Sequence, residues 1–228
     1  MEEWKMERIC NVTAEALAEL SEIAKSVTST STDVCPVDTA LSIVKKAKEV
    51  SCGSGVYCRD GMNQLIHTIE DITAGAGQPE DIDTLQEICD AMMVVADCDL
   101  SYTAAELVKG LITEHTDEWE AHIKRKRCKA LICRGGYTLH VTPEKCDGCG
   151  KCAEICSYKA IAGGENMIHV IDIKACKSCA KCEPACPQKA IVRAGAVKPM
   201  GPTAPIAVGS WKAAGAGGEG GGRRRRRG

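Results

Sequence analysis

Eight cysteines between Cys146 and Cys186 use one spacing twice. Cys146, Cys149, Cys152 and Cys156, then Cys176, Cys179, Cys182 and Cys186, each read C-x2-C-x2-C-x3-C. Thiolates hold the irons of a cubane cluster. In this spacing three of them, from a tight loop, take three corners, and the fourth, one helical turn on, crosses to the neighbouring cluster. The pattern assigns one [4Fe-4S] cluster to Cys146, Cys149, Cys152 and Cys186 (cluster I), and a second to Cys176, Cys179, Cys182 and Cys156 (cluster II). Any C-x2-C pair also suits a zinc ribbon, but two complete runs in tandem point to paired cubanes.

Local chemistry agrees. Small residues (Gly148, Gly150, Ser178, Ala180) separate the ligands, where amide N–H groups must approach sulfur and bulk would block them. Pro187 follows Cys186, while Ser157 stands in that place in the first run. Ala160-Ile161 and Ala190-Ile191 recur at equal offsets, so the stretch is an internal duplication and resembles the bacterial-type 2[4Fe-4S] ferredoxin. Tyr137 to Val141 and Met167 to Ile171 read as the short strands that cover the clusters.

The chain of 228 residues has sixteen cysteines and no phenylalanine. Its hydrophobic cores are therefore expected to be small, in two modest domains, with metal binding supplying part of the folding energy. The charged start, Met1-Glu-Glu-Trp-Lys5, leads into no apolar leader, and no run reaches membrane-span length. A cytoplasmic, reducing compartment is expected, in which cysteines serve metals rather than disulfides, and an anaerobic setting would suit exposed clusters. The net charge is −2, yet five of the basic residues are Arg223 to Arg227. The remainder is acidic, which argues against nucleic-acid binding by the body of the protein. The arginine block itself reads as a solvated tail after a glycine spacer.

The elements that must position further ligands lie upstream. Residues 13–27 carry a helical stripe of Ala16, Leu17, Leu20, Ile23, Ala24 and Val27. Pro36 opens a second helix with Val37, Ala40, Leu41, Val44 and Ala47 on one face, ending in the loop Ser51-Cys52-Gly53. A third carries Met62, Leu65, Ile66, Ile69 and Ile72 and stops at Gly75-Ala76-Gly77. Pro79, Glu80 and Asp81 start a fourth, with Leu85, Cys89 and Met92 on its inner face. A fifth, from about Thr103 to Ile123, aligns Leu107, Leu111, His115, Trp119 and His122. Short loops between such stripes predict an antiparallel helical bundle. The fold class is α+β: an N-terminal helix and linker (1–33), a bundle (34–124), a junction (125–136), a dicluster ferredoxin domain (137–196) and a disordered Gly/Pro/Arg-rich tail (197–228).

Ser51-Cys52-Gly53, then Cys58-Arg59-Asp60-Gly61, Gly75-x-Gly77-x-x-Glu80-Asp81, Cys98 and Glu120-Ala-His-Ile123 are similar to the iron–sulfur domain at the C-terminal end of the NADH-binding flavoprotein subunit of complex I. The same domain occurs in NAD-linked bifurcating hydrogenases and formate dehydrogenases, where a dicluster ferredoxin domain follows it, as here. The resemblance implies a further cluster on Cys52, Cys58 and Cys98. The family loop carries one more cysteine, where this chain has Gly55. Three arrangements suit that gap: a cluster completed by a substitute ligand (Cys35, Cys89, water or a partner), a bundle without the cluster, or another metal. Cys89, on an apolar stripe, reads as a core residue, and Cys10 carries no signal. The family's flavin- and NADH-binding domain has no counterpart in these residues, so neither FMN nor NADH is expected to bind this chain alone.

His122, Cys128 and Cys133 form a further set at the junction. Three ligands at close spacing suit a structural zinc between bundle and ferredoxin domain, with His115 or a backbone-near residue as the fourth. The alternative is a satisfied core histidine beside two free thiols. Together these features predict an iron–sulfur electron-transfer subunit with no catalytic side chain of its own. It would relay single electrons between the flavin or cluster of an NAD-linked partner subunit and a low-potential acceptor such as ferredoxin. A structural subunit with non-redox clusters, or a reductase binding its own flavin, are the alternatives.

Overall fold

In the computed structural model, residues 12–27, 33–95 and 98–212 are described. The chain divides into two units, Met1–Tyr137 and Thr138–Gly228. The first is helical. α1 (Ala14–Lys25) begins where the Thr13 hydroxyl accepts the Ala16 amide at 3.2 Å, with Glu15 in its first turn and Lys25 in its last, both matching the helix dipole. α2 (Pro36–Val50) takes Pro36 at its first position, where a missing N–H costs nothing. A π-helical turn, Tyr57–Gly61, leads into α3 (Met62–Ala74), which ends on Gly75 in the left-handed conformation, φ 81°. α4 spans Asp81–Val95.

The single fifth helix expected from Thr103 to Ile123 is two. α5 (Asp99–Glu114) and α6 (Thr116–Lys124) meet at His115, whose φ −124° and ψ 34° leave the helical range. Side chains reach the carbonyls at this break, where Leu111 O also keeps its helical amide from His115 at 3.2 Å. The Trp119 indole donates to Leu111 O at 3.2 Å and the Thr116 hydroxyl to Ile112 O at 3.0 Å.

α2 packs against α1, α3 and α5, and α5 against α4. Leu20, Val37, Ile43, Val44, Met62, Leu65, Ile69, Leu85, Met92, Leu100, Ile112 and Trp119 are all fully buried in one cluster. Each such aliphatic side chain contributes on the order of 1.5–3 kcal/mol. Leu20, on α1, belongs to that core. Lys45–Glu70 and Lys46–Glu19 ion pairs join neighbouring helices at exposed positions, where such pairs add little.

After α6 the chain forms a loop tied to the end of α3. Gly135 N donates to Thr73 O at 2.8 Å, one of the carbonyls that a helix end leaves open. The backbones of Gly135 and Gly75 touch: a Cβ on Gly135 would lie 2.2 Å from Gly75 N. Lys126 Nζ reaches Gly77 O at 3.1 Å.

The second unit pairs short strands. β1 (Thr138–Val141) runs antiparallel to β5 (Ile191–Ala194), and β2 (Ile161–Ala162) to β4 (Val170–Ile171). The short helices α7 (Lys151–Glu154) and α8 (Cys182–Ala185) pack on one another. The stretch from 197 is not wholly the tail expected from its glycine and proline content. β6 (Ile206–Ala207) folds back onto β3 (Met167–Ile168), because Ile206 gains an apolar partner there at the cost of ordering a few residues. Gly215 to Gly222, Arg223 to Arg227 and Cys10 lie outside the described residues. No helix among the described residues is long and apolar enough to cross a membrane.

Gly135→Ala would drive a Cβ into the Gly75 backbone. A stability loss of about 1–3 kcal/mol is expected, as for other forced overpacking, and denaturant unfolding followed by the helical circular dichroism signal measures it.

Candidate metal centres

The loop from Cys146 to Cys152 passes through left-handed backbone at Gly148 (φ 75°) and Gly150 (φ 78°), and its copy does so at Ser178 (φ 49°) and Ala180 (φ 56°). Such turns point successive amides into one concavity that favours negative charge. Amides already meet sulfur. Ala160 N lies 3.3 Å from Cys156 Sγ, Ala190 N 3.3 Å from Cys186 Sγ, and Ser178 N 3.4 Å from Cys176 Sγ.

Burial pushes the Cys152 thiol up to about 11, and the negative charges of Cys146, Cys186 and Cys182 add to it. Burial likewise lifts Cys182 to about 11, helped by Cys176, Cys179 and Cys156. Cys186 thus lies near enough to Cys152 for its charge to act on it, as Cys156 does to Cys182. One cavity is lined by Cys156, Cys176, Cys179 and Cys182 with Leu139, Ile161 and Ile171 around them. Cys149 is exposed, its amide donating to Asp147 at 3.1 Å. Thiols that hold one another protonated need a shared cation to ionise together, and amide-lined concavities with soft donors suit an iron–sulfur cluster.

A four-ligand centre lies in the first unit. Cys35, His122, Cys128 and Cys133 are all buried, with their ligand atoms within 4.8 Å of one another. Cys35 Sγ is 3.4 Å from His122 Nε2 and 3.6 Å from Cys133 Sγ. Zinc–ligand bonds of about 2.0–2.3 Å in a tetrahedron require edges of about 3.6–3.8 Å. Three thiolates and one imidazole at these separations fit a closed structural zinc site.

Each ligand has an identifiable support. Cys35 caps the N-terminus of α2. His122, in the last turn of α6, donates Nδ1–H to Glu118 O at 2.7 Å, which leaves Nε2 for the metal. Cys128 and Cys133 close a turn in which Leu131 N reaches Cys128 O and Gly136 N reaches Cys133 O. Gly136 is required there, since a Cβ on it would fall 2.4 Å from Cys128 N.

Hydrogen bonds from the Cys133 and Cys35 thiols hold Cys128 far below the usual thiol range, as a thiolate, while Cys133 is pushed up. Burial works against a charged His122, but hydrogen bonding to Cys128 and Cys35 outweighs it and lifts the imidazole to about 10. Burial, then the charge on Cys128, raises the Asp38 carboxyl beside the site. Such a concentration of shared protons and negative charge suits a bound cation.

The fourth member corrects two expectations. His115 lies in the break between α5 and α6, outside the group, and Cys35 takes the fourth place instead of substituting in the Cys52/Cys58/Cys98 set. All four ligands belong to the first unit, so the centre closes the 125–137 loop onto the helices rather than bridging two domains. Cys35 is 87 residues from His122, and no local spacing could announce it. The one sequence hint was its place directly before a helix-opening proline.

The third set is incomplete. Cys58 is buried, with Sγ 3.2 Å from the Ser101 hydroxyl. Burial holds its thiol up against that hydrogen bond, and Cys98 adds to the rise. Cys98 is buried at the N-cap of α5, while Cys52 is exposed. A Cβ on Gly55 would sit 3.7 Å from Cys58 Sγ with nothing nearer. Among the described residues no fourth thiol completes this set, so the donors do not fit a four-thiolate cubane. Cys89 is fully buried on α4, its thiol pushed up to about 12 mainly by burial, as a core residue.

Residues 38–122 match the iron–sulfur binding region of NADH-ubiquinone oxidoreductase F, and residues 138–161 match a 4Fe-4S binding domain. The chain is 30% identical over 137 residues to the HndC subunit of the NADP-reducing hydrogenase of Solidesulfovibrio fructosivorans, covering 60% of this chain and 28% of that protein. It is 29% identical over 94 residues to the F 2 subunit of NADH-quinone oxidoreductase of Rhizobium meliloti (strain 1021), covering 41% and 22%. It is 35% identical over 78 residues to the F subunit of the Streptomyces coelicolor NADH-quinone oxidoreductase, covering 34% and 17%. The chain spans less than a third of the length of these curated relatives. It carries, in order, the iron–sulfur region of that flavoprotein subunit and a 4Fe-4S domain, as the motifs indicated.

Three outcomes test the first-unit sites. About one zinc per chain is expected by elemental analysis, retained at neutral pH and released on acidification, because protons compete for the thiolates. Cys35→Ser should lose that zinc and unfold the helical unit at lower denaturant. Gly55→Cys, which supplies a fourth thiol beside Cys58, is expected to raise the iron content above that of the parent chain after anaerobic loading.

Proposed function

We propose that this chain, carrying those two iron–sulfur regions, is an electron-transfer subunit of a cytoplasmic, multi-subunit, NAD(P)-linked oxidoreductase. Cys146, Cys149, Cys152 and Cys186 hold one [4Fe-4S] cluster, and Cys176, Cys179, Cys182 and Cys156 hold the other. The observation that carries this reading is the doubled ligand run, and the cavity that Cys156 lines together with Cys176, Cys179 and Cys182 supports an exchange of the fourth cysteines. When bound, each cluster accepts and returns one electron.

The chain's own residues bind, insulate and tune. The amides of Ala160, Ala190 and Ser178 direct N–H groups at ligand sulfurs, which favours the more negative, reduced state. Leu139, Ile161 and Ile171 exclude water beside the Cys182 group. No side chain has to act as acid, base or nucleophile.

The helical unit, read as an antiparallel bundle, docks the subunit that carries flavin and nicotinamide. Its zinc at Cys35, His122, Cys128 and Cys133 is structural. The names of the relatives, which are subunits of a hydrogenase and of NADH-quinone oxidoreductases, support a redox complex as the setting. A low-potential carrier such as ferredoxin is the proposed acceptor.

Anaerobically purified chain is expected to contain about eight irons and eight sulfides in its second unit, with a visible spectrum that bleaches under dithionite. Cys152→Ser and Cys182→Ser should each remove about half of that iron. Material with far less iron, or a spectrum unmoved by dithionite, would overturn the reading. Native co-purification with mass spectrometry identifies the partner.

A further inference from the structure

We infer that His169 donates a hydrogen bond to the Cys146 sulfur and sets the centre on Cys146, Cys149, Cys152 and Cys186 at a higher reduction potential than its twin. The inference rests on the cluster assignment proposed above.

It comes from a break in the internal duplication. Leu139 stands as far before Cys146 as His169 stands before Cys176, and both are buried, at 1% and 2% exposure. The strands around them repeat as well. Val141 pairs with Ile191 as Ile171 pairs with Ile161, and Leu139 faces Arg193 across β1 and β5. The same register sets His169 opposite Gly163. Equivalent places therefore hold an apolar side chain in one half and an imidazole in the other.

Their surroundings differ in the sense that matters to a cluster. Leu139 lines the cavity of Cys156, Cys176, Cys179 and Cys182 and offers no donor. His169 Nδ1 lies 3.9 Å from Cys146 Sγ, within reach of the larger sulfur atom. A thiolate ligating iron only accepts hydrogen bonds, so the Nδ1–H tautomer is the one selected. Gly163 makes the space: a Cβ there would come 2.4 Å from His169 Cδ2. An N–H aimed at ligand sulfur stabilises the more negative, reduced cluster and raises its potential, whereas an apolar wall lowers it. A buried histidine with a structural role alone would have no reason to point at a ligand.

The test is a redox titration of the full chain, loaded anaerobically with iron and sulfide and reduced stepwise with dithionite. Two separate one-electron steps are expected. His169→Leu should lower the upper step, shifting the electron's distribution between the centres on the order of tenfold, about 59 mV for one electron. His169→Asn, which keeps a side-chain N–H, should retain most of the separation. Leu139→His should raise the lower step instead.

Coincident steps in the parent chain, or an upper step unmoved in His169→Leu, overturn the inference while an iron count of about eight leaves the cluster assignment standing. Should His169→Leu fail to hold its iron, Leu139→His decides alone, and an unmoved lower step rejects the proposal. A parent chain with little iron rejects the assignment and the inference together.

Discussion

Negative charge gathered in a small volume repels itself, and thiolates converging on one point stay apart or stay protonated until a cation joins them. That constraint governs this protein. Cys152 and Cys182 are held near 11 by burial and by their neighbours' charges, and the Cys35 group shares its protons unequally, with Cys128 driven down and Cys133 driven up. Each group is a folding cost that metal binding converts into folding energy. This is how a chain without phenylalanine, whose second unit has only two-stranded pairings among the described residues, specifies a fold.

The first unit shows the division of labour. Its helices are held by an ordinary aliphatic core around Ile43, Leu65, Met92 and Trp119, and need no metal to explain them. The loop from Arg125 to Tyr137 leaves Leu131 and Ile132 largely outside the core. Backbone contact between Gly135 and Gly75 and the Cys128/Cys133 pair tie it down instead, against ligands from two helices. The Cys58 and Cys98 region shows the opposite outcome. There a glycine stands where a thiol would complete the set, and the Ser101 hydroxyl meets the buried Cys58 sulfur.

In the second unit the duplication explains what is shared and exposes what is not. Matching left-handed turns, matching amide-to-sulfur bonds and matching strand registers make two near-equivalent cradles. Leu139 and His169 break the equivalence at one buried position. A repeat can keep its geometry while its electronics diverge, because backbone supplies the cradle and a single side chain supplies the polarity.

Much of this was legible from the residues alone. The doubled cysteine spacing encodes a local loop and helical turn, and the helix stripes follow apolar periods that packing merely fills. The places where that reading fell short depend on contacts between residues far apart in the chain. At the break at His115 the Thr116 hydroxyl takes Ile112 O, a carbonyl that a longer helix would have given to an amide, and the Trp119 indole reaches back to Leu111 O. The return of Ile206 to Ile168 is an apolar pairing that glycine and proline content obscures. Cys35 joins His122, Cys128 and Cys133 only because α2 and α6 pack in the same unit, and no spacing in one dimension records that. The ligand types and their local runs were thus determined by sequence. Tertiary structure decided which runs share a centre, because coordination and hydrogen bonding act over a few ångströms of space, whatever the distance along the chain.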